Sequence, residues 1–213
     1  MNKLKITVEK SVKYLREISV IVIGVAITLF ANNWISIKNE KRDVALYLNA
    51  LKMELEENIN DIDSVVEYSQ REVRYADYLK SHDKKSLNTD TIKSYVNVFY
   101  TAQSFTFKTN AFDMFKTSGI MRLVDDKELL LSIWDTYTSI DVLKQFLDRV
   151  YQEKYDNMKK ETSLAEQRES KMSDIPMRNF YTTTDIPTKM LQVSEEILKQ
   201  SKELVLKLES TKH

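Results

Sequence analysis

Neither Gly nor Pro occurs between residue 25 and residue 118, and the whole chain of 213 residues contains 2 of each. Average usage would give roughly 15 Gly and 10 Pro at this length. Because Gly and Pro form most tight turns and hairpins, their scarcity argues against β-sandwiches, barrels and Rossmann-like sheets. The sequence therefore predicts an all-α fold that consists of a few long helices.

The side-chain inventory excludes several chemistries. The chain has no Cys and 2 His, which removes disulfides, thiolate metal sites and most His-based centres. Its 32 Lys+Arg balance 32 Asp+Glu, so it lacks the basic excess of nucleic-acid-binding proteins. P-loop, G-x-S-x-G, H-E-x-x-H and G-x-G-x-x-G motifs are missing from the sequence. We therefore expect no enzymatic activity, no cofactor and no nucleic-acid partner.

Residues 18–37 (ISVIVIGVAITLFANNWISI) carry no charged side chain. A helix of about 20 residues spans about 30 Å, the thickness of a bilayer's hydrocarbon core. Trp34 lies where an interfacial anchor is expected. A cleaved signal peptide is an alternative, but a cut after Ala31 would place Leu29 where a small residue is usual. A buried soluble helix is another, but Val20–Phe30 is apolar on all sides, which favours lipid. We predict a transmembrane helix at 18–37.

Flanking charges predict the orientation of this helix. Residues 1–17 contain 5 basic side chains, whereas 3 follow the helix before Leu51. The positive-inside rule therefore places residues 1–17 in the cytoplasm as a short basic tail. Residues 38–213 would form an extracytoplasmic domain.

One face of the predicted membrane helix carries small and polar residues. Gly24, Thr28 and Asn32 recur every four residues. Such spacing allows two membrane helices to approach closely and to hydrogen-bond. This face predicts a homo-oligomer or a membrane-protein partner, and the alternative is an ordinary helix that faces the lipid bilayer.

The apolar pattern continues beyond the membrane segment without a helix breaker. Steps of 3, 4 and 7 residues predict one helix from about residue 10 to about residue 80, either unbroken or kinked near Asn32 and Asn33. Charged residues between the apolar positions, Glu54 among them, are expected on a solvated face. The apolar positions are Val44, Leu48, Leu51, Leu55, Ile59, Ile62, Val66, Val73 and Ala76.

Four further helices are predicted after a polar loop at 81–90. Asn88, Thr89 or Asp90 would cap a short helix that ends at about residue 100. Thr109 or Asn110 would begin the next, which Gly119 would end in a left-handed conformation. A long helix would then extend to about residue 170.

The sequence also predicts how this long helix begins and which elements follow it. Asp125 with Glu128 resembles a capping box. The segment 175–187 contains both prolines and predicts a connector, and a last helix would cover about 188–209. The predicted fold is an N-terminal transmembrane helix that continues into an antiparallel extracytoplasmic helical bundle. One face of the long helix would carry Leu130, Ile133, Trp134, Tyr137, Ile140, Leu147, Tyr151, Tyr155 and Met158.

Aromatic residues concentrate in the middle of the chain. They predict either a core beneath irregular connections or an aromatic pocket or docking groove. The candidates are Phe99, Phe105, Phe112, Phe115, Trp134 and Tyr137.

Two stretches carry a family resemblance. These are 17–34 (EISVIVIGVAITLFANNW) and 109–124 (TNAFDMFKTSGIMRLV), the latter followed by DDKELL. The chain resembles an uncharacterised family of small single-pass, helix-rich membrane proteins that is common in Bacteroidetes. The resemblance implies a bacterial origin and a membrane location. Together with the orientation predicted from the flanking charges, this places the helix in the cytoplasmic (inner) membrane and residues 38–213 in the periplasm. It implies no activity and no functional residues.

Two functions remain open from the sequence. The first is a non-enzymatic, membrane-anchored helical protein that acts through self-association or partner binding. The alternative is an extracytoplasmic small-ligand sensor that signals through a partner, since the cytoplasmic tail is too short for an output domain.

Overall fold

The computed structural model describes residues 2–95, 105–167 and 177–211. All regular elements in these ranges are helical, in agreement with the predicted all-α class. They are α1 (Asn2–Ser81), α2 (Thr89–Ser94), α3 (Asn110–Thr117), a 3-10 helix (Ile120–Leu123), α4 (Lys127–Gln167), α5 (Arg178–Thr183) and α6 (Ile186–Ser210).

The chain divides into two compact units, residues 1–46 and 47–213, and α1 contributes to both. In the first unit, every side chain from 16 to 42 is exposed. The most apolar 18-residue window of this helix has a mean hydropathy of 2.0. By length and composition, this is one helix in the described part of the chain that could cross a membrane. The backbone is α-helical through Asn32 and Asn33.

Most of the predicted apolar stripe of α1 lies in the core of the second unit, whereas Val44, Ile59 and Val73 are only half-buried. Leu51, Leu55 and Ile62 are fully buried, and Leu48, Val66 and Ala76 are nearly so. Helices α4 and α6 pack against each other. Their inward residues include Ile133, Ile140, Leu143, Met190, Ile197, Leu204 and Leu208.

The predicted face of α4 is wrong at three aromatic positions. Trp134, Tyr151 and Tyr155 are each close to half exposed, whereas Leu129, Leu143 and Val150 are buried. Trp134 lies beside the buried face, one position after the buried Ile133. Tyr151 and Tyr155 are in phase with that face, but no described side chain of α4 beyond Val150 is buried, so their rings remain exposed.

Several helix ends differ from the prediction. Asp126, not Asp125, caps α4, because its Oδ1 accepts a hydrogen bond from the Leu129 amide at 2.9 Å. Asn88 caps α2 as predicted, with its Oδ1 accepting from the amides of Asp90 and Thr91, but this helix ends at Ser94. The predicted connector contains the short helix α5, and α6 begins at Ile186 with Pro187 in its first turn, where the missing N–H is harmless.

Helix α3 ends as the sequence predicts. Its C-cap is Ser118, and Gly119 follows in the left-handed conformation with φ of 76°. No described atom lies within 4 Å of the position that a Gly119 side chain would occupy. Glycine is therefore required here by the backbone conformation and not by crowding.

Candidate functional site

The predicted membrane face lies on the exposed part of α1. Gly24, Thr28, Asn32 and Trp34 are all exposed to their surroundings in the first unit. The Thr28 hydroxyl donates a hydrogen bond to the Gly24 carbonyl at 2.9 Å. No described atom lies within 4 Å of the position that a Cβ atom at Gly24 would occupy. The face is therefore open, and its hydroxyl group is already satisfied within the helix.

Three of the predicted aromatic residues pack together. The ring of Phe112 stacks on Tyr137 with a centroid distance of 4.3 Å and an interplanar angle of 7°. The ring of Trp134 meets Phe112 edge-on at 5.8 Å. Lys116 Nζ lies 4.6 Å from the Phe112 centroid, a cation–π distance. The three rings pack against one another, and this contact joins α3 to α4.

The other aromatic candidates lie elsewhere. Phe115 is fully buried and lies 6.5 Å from Tyr47 between ring centroids. Phe105 packs edge-on against Tyr68 at 6.2 Å, away from the Phe112 rings. Phe99 lies outside the described residues. The six candidates therefore do not line one common site in the described structure.

A buried carboxylate on α1 holds the start of α3. Glu54 is 8% exposed, and its Oε2 accepts a hydrogen bond from the Ala111 amide at 2.7 Å. Its Oε1 accepts from the Phe112 amide at 3.2 Å and from the Tyr137 hydroxyl at 2.9 Å. Glu54 thus supplies the N-terminal cap that Thr109 does not, because the Thr109 hydroxyl donates to Asp113 instead. We call Glu54 with these partners the Glu54 site.

The next turn of α1 extends the Glu54 site. The Asn58 side chain is fully buried, and its Nδ2 donates to the Lys108 carbonyl at 2.8 Å. Its Oδ1 accepts from the Lys108 amide, also at 2.8 Å. Glu57 and Lys108 form an exposed ion pair beside this contact. The side-chain amide of Asn58 therefore satisfies both the N–H and the C=O group of Lys108, which lies outside any helix or strand.

A second buried carboxylate lies 18 positions further along α1. Glu72 is fully buried, and its Oε1 receives the Lys154 ammonium and the Tyr181 hydroxyl, the latter at 2.7 Å. Lys154 Nζ also lies 3.3 Å from the Tyr68 hydroxyl and 5.0 Å from the centre of its ring. Glu72 Oε2 has no hydrogen-bond partner among the described residues. We call these four residues the Glu72 site.

Burial and charge shift the pKa values at both sites. Burial, and then the charge of Glu54, raises the pKa of Tyr137 well above its usual range. Burial raises the pKa of Tyr68 and Tyr181 in the same way, with a further contribution from Glu72. Burial also lowers the pKa of Lys154, and Glu72 opposes this shift. The tyrosines therefore remain neutral donors at neutral pH.

Sequence reasoning placed Glu54 on the solvated face of α1 and overlooked Asn58 and Glu72. A signal was present, because all three residues fall in phase with the buried apolar positions Leu51, Leu55 and Ile62. A polar residue in the phase of a buried stripe predicts a buried hydrogen-bonding role.

Chemically, the Glu54 site and the Glu72 site can hold other chain segments against α1. Each carboxylate takes donors from other helices, and within residues 2–95, 105–167 and 177–211 no group of three or more His, Asp or Glu is arranged to hold a metal ion. Both sites join segments that are distant in sequence to α1.

Comparison with known proteins places the chain in a family. No curated protein and no solved structure matches it. A family model described as a family of unknown function (DUF6090) matches residues 17–171, a range that contains both 17–34 and 109–124. Since this match covers more than half of the chain, the protein belongs to that family of unknown function.

Proposed function

We propose that this protein is a non-enzymatic, single-pass membrane protein that acts through self-association or through a membrane-protein partner. Residues 38–213 would form an antiparallel helical bundle in the periplasm of a bacterium, and residues 18–37 would anchor it in the inner membrane. One observation carries the proposal. The apolar side chains of 18–37 are exposed all around the helix, from 44% at Ile37 to 79% at Phe30.

An exposed apolar surface of this length requires a covering. Soluble monomeric proteins rarely expose contiguous apolar patches beyond a few hundred Å². A bilayer covers such a helix completely, and Trp34, which is 69% exposed, suits the interface. The alternative covering by protein alone would need a partner on every side of the helix.

The orientation can be tested with reporters fused to the C-terminus. The excess of basic residues in 1–17 favours an N-in, C-out span. A reporter that is active only in the cytoplasm should be silent, whereas one active only outside should work. A fully active cytoplasmic reporter, or release of the chain from membranes at alkaline pH, would contradict the proposal.

The face that contains Gly24 and Thr28 is the proposed contact surface. The Thr28 hydroxyl is bonded to the Gly24 carbonyl, so that close approach of another helix leaves no donor unsatisfied there. Since no described atom lies within 4 Å of the position that a Cβ atom at Gly24 would occupy, a side chain added there meets no obstacle at its Cβ within the chain itself. Any effect of enlarging Gly24 on assembly must therefore arise between chains.

Crosslinking in native membranes tests this surface. Gly24→Leu should reduce the crosslinked oligomer or partner adduct by about tenfold, because it prevents close backbone approach. Ala26→Leu is the matched control, since it makes the same kind of change on the opposite side of the helix. A homo-oligomer indicates self-association, and an adduct of another mass indicates a partner. Equal crosslinking of both variants and the wild type would contradict the proposed surface.

A further inference from the structure

The residue that precedes helix α5 has a strained backbone conformation. Met177, which precedes α5, has φ of 58°, and it is the one non-glycine residue with positive φ in the described part of the chain. Side chains with a Cβ are disfavoured in this left-handed region. The conformation persists because the Met177 side chain is buried and its amide donates to Glu161 Oε2 at 3.0 Å. The docked position of α5 therefore maintains a backbone strain.

Two buried polar atoms beside α5 have no hydrogen-bond partner among the described residues. One is Arg178 Nη1 in the first turn of α5, and the other is Glu72 Oε2 beneath Tyr181. Buried polar atoms without partners cost free energy, and contact with water removes that cost. Both atoms and the strained residue lie at the same docking contact.

Aromatic packing and one hydrogen bond oppose these costs. The rings of Tyr181 and Tyr75 meet edge-on at 5.1 Å, and the Tyr181 hydroxyl donates to Glu72 at 2.7 Å. Phe180 and Tyr181 are almost fully buried. They belong to a cluster with Tyr75, Ala76, Leu79, Ile92 and Met177.

We propose that α5 is a releasable strap, which undocks from α1 with Met177 as its pivot while α1, α4 and α6 remain folded. Release relaxes the backbone at Met177 and brings water to Arg178 and Glu72. It also uncovers an apolar surface around Tyr75 and Ala76. This inference concerns the second unit alone and is independent of the proposed function of the membrane helix.

Cysteine labelling tests the strap, because the wild-type chain has no Cys. Ala76, which is 4% exposed, lies in the cluster that contains α5 residues, whereas Ser194 of α6 is fully buried outside it. In the full chain in detergent micelles, a thiol reagent should modify Ala76→Cys on the order of a hundredfold faster than Ser194→Cys. Equal rates for the two variants would overturn the proposal, because both sites would then open only on global unfolding.

Hydrogen exchange provides a second measurement that requires no cysteine. The amides of Tyr181 and Thr184, which bond within the α5 turn, should exchange faster than the core amides of α1. Tyr181→Phe removes the bond to Glu72 and should accelerate α5 exchange by about tenfold more. Tyr155→Phe, an exposed tyrosine of α4, is the matched control and should change nothing. Equal acceleration of α1 and α5 by Tyr181→Phe would overturn the proposal.

Discussion

The Glu54 site and the Glu72 site solve the same problem in different ways. Each places a buried carboxylate of α1 against a segment that is distant in sequence. At the Glu54 site both oxygens accept hydrogen bonds, two of which come from backbone amides of α3. At the Glu72 site one oxygen takes both the Lys154 and Tyr181 contacts, and the other has no partner among the described residues. A buried charge stabilises a fold best when all its acceptor positions are used.

The largest loss of stability is expected at the Glu72 site, where the buried carboxylate belongs to an ion pair and not to a helix cap. Lys154→Met should lower the free energy of unfolding by about 4 kcal/mol, because it leaves the fully buried Glu72 without its counter-charge. Urea unfolding of the full chain in detergent, followed by near-UV circular dichroism, measures this change.

A double variant checks the cause of that loss. Glu72→Leu combined with Lys154→Met removes both charges, and it should recover more than half of the stability lost by Lys154→Met alone. No recovery in the double variant would mean that the packing of the Lys154 chain, and not its charge, supports the site.

The Glu54 site should respond to loss of its acceptor. Glu54→Ala removes the acceptor of two backbone amides and of the Tyr137 hydroxyl, and should lower the free energy of unfolding by about 3 kcal/mol. Glu54→Gln keeps an oxygen but replaces one acceptor by a donor, so that its loss should be smaller, about 1.5 kcal/mol.

The neighbouring glutamate is the control for Glu54. Glu57 pairs with Lys108 in a setting where both side chains are more than half exposed. Glu57→Gln should therefore change the free energy of unfolding by less than about 0.5 kcal/mol. A similar loss for Glu54→Gln and Glu57→Gln in the same urea titration would show that Glu54 is not a cap.

The comparison of the two sites also shows what sequence can predict. The apolar stripe of α1 and the left-handed Gly119 followed from spacing and from the lack of Gly and Pro, since both depend on local rules. The cap of α3 did not follow, because the donor segment and the Glu54 acceptor lie 57 positions apart. A tertiary contact, which local propensity does not encode, takes the place of the expected cap by Thr109 or Asn110.

Helix α5 was missed for a related reason. Its six residues contain no periodic stripe, and the prolines nearby indicate a connector. Phe180 and Tyr181 are buried because Tyr75 of α1 offers them a surface. The family match likewise covers residues 17–171 and ends before α5 begins. The segment is therefore helical through packing rather than through its own sequence pattern.

A smaller effect tests whether α3 depends on its C-terminal turn as well as on Glu54. Gly119→Ala should lower the free energy of unfolding by about 1 kcal/mol, because φ of 76° is strained for any residue with a Cβ. Gly119→Val should lose more, since β-branched residues fit this region worst. Gly24→Ala is the control and should leave unfolding of the second unit unchanged. Thermal unfolding that is the same for all three variants would remove the requirement for glycine at this turn.

The smallest expected effect concerns a charge that α3 carries itself. Hydrogen bonds from Lys116 and Thr109 lower the pKa of Asp113 below its usual 3.8. A carboxyl group with a lowered folded-state pKa stabilises the fold above pH 3.8 and loses this contribution as the pH falls through the lowered value.

Because the Asp113 side chain is 56% exposed, Asp113→Asn should cost only about 0.5 kcal/mol at neutral pH. The stability difference between the wild type and Asp113→Asn should stay constant above about pH 5 and shrink below pH 3.8. Urea titrations of both chains at several pH values measure this difference, and a difference that grows on acidification would contradict the assigned hydrogen bonds.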